Sequence, residues 1–234
     1  MTTPADPLAP GAGTPATAVL LDLDGTITDS AGAITHSISE SLAAFGYPAQ
    51  TPAQLLRFVG PPIRDGLQRF AGVTDADLEA VVADYRDRYG ARMLDVPVFP
   101  GMADLVRDLH AAGVPIALAT SKMLTMARPI LEYAGLDQYF TVICGATADE
   151  TRSAKADIVT DALDGLRAAG ADVSGAVMVG DRHHDVQGAA ANGIPAVLVR
   201  WGYAQPGEEA GARAVVADAG ELAAVLGAAA PARR

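Results

Sequence analysis

Two hydrophobic patterns alternate along most of this chain. Short apolar runs that stop at glycine or polar residues are typical of buried strands, and apolar residues three and four positions apart are typical of amphipathic helices. Six runs have the strand pattern: residues 18–24, 114–119, 140–144, 176–179, 196–199 and 214–216. Because helical stripes separate most of them, we predict an α/β fold with a doubly wound, mostly parallel sheet covered on both faces.

One block departs from this alternation. Between residues 31 and 96 the pattern is helical throughout, beginning with apolar residues at spacings of four, four and three from Ile34 to Phe45. No strand-like alternation appears in this block, so we predict an inserted, all-helical domain at 31–96. Residues 18–30 and 97–234 would then form the α/β core.

The composition narrows the choice of partners and compartment. Residues 1–17 are rich in Pro, Ala, Thr and Gly, which predicts a flexible tail. The net charge of −11 argues against nucleic acid and anionic membranes as partners. Cys144 is the single cysteine, so no intramolecular disulfide forms. With no secretory segment near the start and no apolar run of about 18 residues, we expect a cytoplasmic protein.

Polar residues follow the ends of several predicted strands. Because the carboxyl ends of parallel strands meet at one edge of a sheet, these residues can converge although they are far apart in sequence. Carboxylate oxygens are ligands that Mg²⁺ prefers, and a hydroxyl and a lysine beside them suit a phosphoryl group. The sequence therefore predicts an anion site built on Mg²⁺, with these candidates: Asp22, Asp24, Thr120, Ser121, Lys155, Asp181 and Asp185.

These residues resemble the four motifs of the haloacid dehalogenase superfamily of phosphotransferases. DLDGT at 22–26 is similar to the first motif, and Thr120-Ser121 is similar to the second. Lys155 is similar to the third, and GDRHHD at 180–185 to the fourth. The helical insertion lies where that family has its small helical cap. Two segments, FVGPP at 58–62 and VGDRHHDVQGAAANGIP at 179–195, resemble the phosphoglycolate-phosphatase-like branch.

The resemblance implies a role for each motif residue. Asp22 would be the nucleophile that forms an aspartyl-phosphate, and Asp24 would be general acid and then general base. Thr120 and Lys155 would bind the transferring phosphoryl group. Mg²⁺ would be bound by Asp22, the Asp24 backbone carbonyl and Asp181, with Asp185 as a further ligand or as support. Backbone N–H groups around Gly25 and Ser121 would supply further donors to the phosphoryl group.

Two assignments have alternatives. The third-motif lysine is often followed by proline, but Ala156 follows Lys155, and Arg152 lies three residues earlier. The adjacent His183 and His184 invite a metal-site reading, but neighbouring helical positions do not converge on one ion and no further ligands complete a zinc set. We interpret these histidines as surface or supporting residues.

The helical insertion offers three candidates for substrate contact: Gly60, Pro61 and Arg64. The Gly-Pro-Pro sequence either forms a rigid turn between helices or faces the site and shapes a pocket for the leaving group. Arg64 could meet an anionic substrate there.

The sequence favours phosphate-ester chemistry. The dehalogenases of this fold lack an acid two residues after the nucleophile because halide leaves without a proton, whereas Asp24 can protonate an alkoxide. We therefore predict a Mg²⁺-dependent phosphomonoesterase acting on a small metabolite such as phosphoglycolate, a nucleotide or a sugar phosphate. The alternative is a phosphomutase or protein-directed phosphotransferase with the same intermediate. A third hypothesis is a catalytically silent binding or scaffold protein. The complete set of motif residues argues against it, because a silent relative would not need all of them.

Overall fold

The computed structural model of the protein describes residues 15–228. Within them the sheet has six strands: β1 (Ala18–Leu21), β2 (Ile116–Met123), β3 (Val142–Ala146), β4 (Ala176–Gly180), β5 (Ala196–Val199) and β6 (Ala214–Val216). The strand order is β3-β2-β1-β4-β5-β6, and every neighbouring pair is parallel. The chain crosses from one side of β1 to the other after β3, so the carboxyl end of β1 lies at the switch point where such sheets bind ligands.

Helices cover both faces of the sheet. Five of them belong to the α/β core: α5 (Met102–Ala111), α6 (Leu124–Tyr133), α7 (Lys155–Ala168), α8 (His183–Ala191) and α9 (Ala219–Leu226). Alternate residues of β1 point into different apolar cores, with Val19 and Leu21 packed in one and Ala18 and Leu20 in the other. This two-sided burial explains the continuous apolar runs and confirms the predicted doubly wound α/β fold.

The four remaining α-helices form the inserted block: α1 (Ala31–Ala44), α2 (Pro52–Leu55), α3 (Ile63–Ala71) and α4 (Asp75–Gly90). Their apolar faces meet in a separate core that includes Ile38, Leu42, Leu67 and Val81. The block is helical, as its sequence pattern predicts, and we call it the cap. None of the helices in residues 15–228 has the length and apolar character needed to cross a membrane.

The predicted tail boundary needs correction. Residues 1–14 of the tail lie outside the described residues. Ala16 is buried, its N–H donates to the Leu226 carbonyl at 2.9 Å, and the Thr17 N–H donates to the Gly175 carbonyl at 3.2 Å. The chain is therefore tied to the core before residue 18.

Four strand ends differ from prediction, those of β1 to β4, and the differences at β1 and β2 shape the site. β1 ends at Leu21 rather than residue 24, because the chain turns so that the Leu23 carbonyl accepts N–H groups from residues 26–28. β2 continues past residue 119 to Met123. Its pairing with β3 shifts between Thr120 and Met123, and this irregularity accommodates two extra residues.

Candidate active site

Asp22 and Asp24 lie in the turn that follows β1. Both are buried, and the Asp22 backbone N–H donates to the Val179 carbonyl at 3.0 Å, which fixes the turn to the end of β4. Gly25 has φ +84°, in the left-handed region that glycine adopts at low cost. The turn therefore holds two carboxylates at the centre of the sheet's carboxyl edge.

Lys155 enters this carboxylate group from the first turn of α7. Its Nζ lies 2.8 Å from Asp22 Oδ1 and 2.8 Å from Asp185 Oδ1, and it donates to the Ala119 carbonyl at 3.0 Å. Burial opposes its charge, yet the two carboxylates raise the pKa of Lys155 above its usual value. Arg152, the alternative third-motif residue, pairs with Asp161 at the surface, 2.7 Å away.

Asp181 follows β4 and is fully buried. Its Oδ2 accepts the Tyr203 N–H at 2.7 Å. The backbone of Gly25 passes so close that a Cβ atom there would lie 2.2 Å from Asp181 Oδ2. Glycine is therefore required at position 25 by close approach as well as by its dihedral angle.

Asp185 has two structural roles. One carboxylate oxygen accepts the Arg182 N–H at 3.0 Å and so supports the start of α8. The other oxygen faces Lys155, and Asp185 is almost completely buried. Asp185 therefore lies at the start of α8 and beside Lys155 at once.

Three carboxylates thus share a small volume. Asp22, Asp181 and Asp185 each offer an oxygen within 4.8 Å of the others, and we call them, together with Lys155, the carboxylate floor. Burial and the neighbouring carboxylates raise the pKa of Asp181 well above its usual range. Burial is also the main cause that raises the pKa of Asp22 to about 6, against the opposing charge of Lys155.

The carboxylate floor fits a divalent cation. It contains three carboxylates but one lysine, which pairs with Asp22 and Asp185, and Asp181 Oδ1 is buried with no hydrogen-bond partner within residues 15–228. An oxygen-only, acid-rich set of this kind suits Mg²⁺ rather than a soft metal.

A second lysine completes the site, and sequence reasoning gave it no role. Lys122 Nζ lies 2.7 Å from Asp24 Oδ2 and 4.4 Å from the centre of the Tyr89 ring in the cap. Burial opposes its charge, but Asp24 raises the pKa of Lys122 above the usual value. Its position directly after Thr120-Ser121 was the available signal. Thr120 itself is buried, and its Oγ1 accepts the Lys122 N–H at 3.3 Å.

A cavity runs from Asp24 beneath the cap. Ser121 and Lys122 line it from β2, and Gly60 and Pro61 line it from the cap. The Gly-Pro-Pro sequence therefore both turns the chain before α3 and faces the cavity, so the two readings of it are compatible.

Arg64 is not placed as expected. It pairs with Glu79 on the neighbouring helix, through Nη2 to Oε2 at 2.7 Å, and its Nε lies 3.1 Å from Glu150 Oε2. The cavity is lined instead by Arg86 and Glu150, which pair with each other. We call Arg64, Arg86 and Glu150 the arginine roof. These partners come from separate segments, and no local pattern relates them.

Arg182 joins core and cap. It is buried and ion-paired with Glu208, with Nε 2.8 Å from Oε2, and it donates to the Val59 carbonyl in the cap. His183 Nδ1 also lies 2.8 Å from Glu208. His183 thus supports the contact between core and cap. The potential metal cluster found within residues 15–228 consists of the three carboxylates and includes neither histidine.

The chain is similar to several known proteins. The chain is 45% identical over 186 residues to the tyrosine-protein kinase PtkA of Mycobacterium tuberculosis, across 79% of this chain and 62% of that protein. The chain thus spans under two thirds of that relative's length. It is 35% identical to a plasmid-borne phosphoglycolate phosphatase of Cupriavidus necator, covering 91% of this chain and 94% of the relative.

A solved structure has a similar fold. The crystal structure of a predicted phosphatase from Clostridium acetobutylicum has a TM-score of 0.82 and 33% identity, covering 89% of this chain and 97% of that one. The phosphatase names among these relatives agree with the predicted class of enzyme, a phosphatase of the haloacid dehalogenase type. The family model for haloacid dehalogenase-like hydrolases matches residues 19–199, which confirms the resemblance: the chain belongs to this family.

Proposed function

We propose that the protein is a Mg²⁺-dependent phosphomonoesterase that hydrolyses a small phosphorylated metabolite through an aspartyl-phosphate. The observation that carries this proposal is the pairing of two buried carboxylates with two different lysines. Asp22 meets Lys155, and Asp24 meets Lys122, so the two acids have separate partners at one strand end. Separate surroundings suit separate roles as nucleophile and proton carrier.

In the first half-reaction an Asp22 oxygen attacks phosphorus, and the bond from phosphorus to the leaving oxygen breaks. Asp24 gives its proton to that leaving oxygen, so the product departs as an alcohol rather than an alkoxide. With its pKa raised to about 6, Asp22 is mostly ionised, and therefore nucleophilic, at neutral pH. Thr120 and Lys155 would bind the phosphoryl oxygens.

In the second half-reaction water attacks the phosphorus of the aspartyl-phosphate. Asp24, now ionised, takes a proton from this water, and the bond between phosphorus and Asp22 breaks to release phosphate. Asp22, Asp181, Asp185 and the Asp24 backbone carbonyl would hold Mg²⁺. When bound, the ion supplies positive charge that offsets the repulsion among the carboxylates and the phosphoryl oxygens.

The substrate class follows from the cap. The cavity that begins at Asp24 is roofed by cap residues, so a leaving group must fit between core and cap. Water exclusion by such a cap suits small substrates. Phosphoglycolate, nucleoside monophosphates and sugar phosphates are the candidates, and the phosphoglycolate phosphatase among the relatives supports the first.

The test is release of inorganic phosphate from a panel of these esters, with Mg²⁺ and with EDTA. We expect metal-dependent release by the wild type and its loss in Asp22→Asn. Asp164→Asn, an exposed change on α7, is the matched control and should behave as wild type. Absence of release from every ester, with folded protein, would overturn the proposal.

Phosphoryl transfer to another acceptor is a second candidate, favoured by the 45% identity to a protein named as a tyrosine kinase. The aspartyl-phosphate would then pass its phosphoryl group to a sugar phosphate or a protein hydroxyl instead of water. Incubation with a labelled donor separates the two candidates. Label in inorganic phosphate supports hydrolysis, and label in an added acceptor supports transfer.

A further inference from the structure

Glu150 is the least expected residue of the cavity. It comes from the core loop after β3, yet its carboxylate reaches the cap and pairs with Arg86 of α4 and Arg64 of α3. Its side chain is only 6% exposed. A core carboxylate thus lies buried between two cap arginines, in the wall of the cavity that starts at Asp24.

The loop holds Glu150 in a costly conformation. Its φ is +56°, and among residues 15–228 it is the one non-glycine residue with positive φ. Left-handed backbone is unfavourable for an L-residue, and such strain concentrates at functional sites. The Glu150 N–H donates to the Thr147 carbonyl at 2.9 Å, so the loop closes on itself and presents the glutamate.

The two arginines differ in what else they bind. Arg64 is also held by the exposed Glu79, so loss of Glu150 would leave it paired. For Arg86, Glu150 is the carboxylate partner found in the described part of the chain, and the buried Arg86 Nε has no hydrogen-bond partner there. Arg86 therefore has donors available for further acceptor oxygens.

We propose that Glu150 occupies the place of an acidic group on the substrate's leaving group. In this inference, which rests on the proposed phosphomonoesterase function, a carboxylate or second phosphate on the leaving group binds Arg86 in exchange for Glu150. A second anion beside Glu150 would meet like-charge repulsion, so the glutamate moves away from Arg86 when the acidic group enters. Arg86 selects acidic leaving groups, and Glu150 sets how tightly they bind.

The exchange makes a selective prediction. Glu150→Gln keeps the size of the side chain but removes the competing charge, so acidic ligands should gain affinity while neutral ligands do not. Arg86→Gln should weaken acidic ligands alone, and Arg86→Lys should restore part of the loss because it retains the charge. Glu79→Gln, which alters an exposed partner of Arg64 outside the cavity lining, is the matched control.

Binding of phosphonates tests this without requiring turnover. Calorimetry in Mg²⁺ would compare methylphosphonate, which has no second acid, with phosphonoacetate and methylenediphosphonate, which carry a carboxylate and a second phosphonate. We expect Glu150→Gln to lower the Kd of one or both acidic ligands about fivefold relative to that of methylphosphonate. Arg86→Gln should raise their Kd about tenfold. These changes correspond to roughly 1 and 1.4 kcal/mol, as for a charge-assisted contact. The better acidic ligand identifies the group.

Two results would overturn the inference. If Glu150→Gln changes the Kd of all three ligands equally, Glu150 is a structural tie between core and cap. If both variants leave the ratios of acidic-ligand Kd to methylphosphonate Kd unchanged, Arg86 does not recognise the acidic group. Failure of the proposed function appears separately, as absence of phosphate release from the ester panel while these binding ratios still report on Arg86 and Glu150.

Discussion

The carboxylate floor and the arginine roof belong to one site, with Asp24 linking the floor to the cavity that Arg86 and Glu150 line. The floor has three carboxylates and one lysine, a negative excess that fits a cation. The roof has two arginines around one buried glutamate, a positive excess that Glu79 offsets from outside. In the proposed function, the floor would hold the reacting phosphoryl group and its metal, and the roof would hold an acidic leaving group.

The two regions also differ in construction. Floor carboxylates follow directly on strands or start a helix beside them, so the sheet fixes their positions through backbone hydrogen bonds. The roof depends on side chains that reach between α3, α4 and a core loop. We therefore expect floor substitutions to affect stability and chemistry together, and roof substitutions to affect selectivity.

Replacing Lys155 should have the largest effect. Lys155→Met leaves Asp22 and Asp185 buried without their common cation, and loss of one partner from a buried ion pair costs about 3–5 kcal/mol. Urea denaturation measures the free energy of unfolding, and phosphate release should fall to background. Arg152→Met, which breaks an exposed pair three residues away, should leave both quantities close to wild type. Wild-type stability of Lys155→Met would show that charge balance does not govern the floor.

The next largest effect is expected at Gly25. Gly25→Ala combines left-handed backbone with a Cβ atom 2.2 Å from Asp181 Oδ2, so we expect a loss of about 3 kcal/mol and at least a hundredfold loss of activity. Gly46→Ala is the control, because Gly46 has φ +75° but open space around its Cβ position. That variant should lose about 1 kcal/mol and keep its activity. Equal effects in the two variants would mean that close approach to Asp181 is unimportant.

The sequence predicts most of the floor and little of the roof. Asp22 and Asp181 follow apolar runs whose burial is evident from the sequence alone, and the parallel sheet brings the runs together. The predicted fold is confirmed for the same reason. Strands buried on both faces appear as continuous apolar runs, and the helices that cover them appear as amphipathic stripes. The predicted end of β2 at residue 119 is too early. The two extra residues beyond Thr120 include Lys122, which was therefore given no role in the site.

The roof lacks any such local signal. Periodicity in α4 identifies Val81 and Tyr85 as core positions but says only that Arg86 lies off that stripe. Its partner Glu150 is 64 residues away, in a loop without apolar pattern. The sequence makes Arg64 a candidate for contact with an anionic substrate, yet Glu79 and Glu150 hold it outside the cavity lining. Pairings between side chains on separate elements are set by the tertiary fold, which brings distant residues together.

Lys122 tests the boundary between floor and roof, since it pairs with Asp24 and packs on the Tyr89 ring of the cap. Lys122→Met leaves Asp24 without its partner at the edge of the cavity, where water can partly replace it. We expect a stability loss of about 2 kcal/mol and a loss of phosphate release on the order of a hundredfold. Lys122→Arg keeps the charge and should retain more activity. If Lys122→Met releases phosphate at the wild-type rate, Asp24 acts without this lysine.

The smallest effect is expected for the Arg182–Glu208 pair, which ties core to cap beside the carboxylate floor. Burial raises the pKa of Glu208, but the hydrogen bond and charge of Arg182 outweigh it and lower the pKa to about 2. An unfolded glutamate titrates near 4.3, so the stabilisation is fully present above about pH 4.5 and is lost as the pH falls toward 2. Because glutamine can still accept a hydrogen bond from Arg182, and the Glu208 side chain is 12% exposed, Glu208→Gln should cost about 1 kcal/mol at pH 7, and less at pH 3. Urea titrations of both proteins at the two pH values measure this difference. A cost that stays constant or grows at pH 3 would show that Glu208 acts through its shape and hydrogen bonds, in which case the tie between core and cap does not depend on charge.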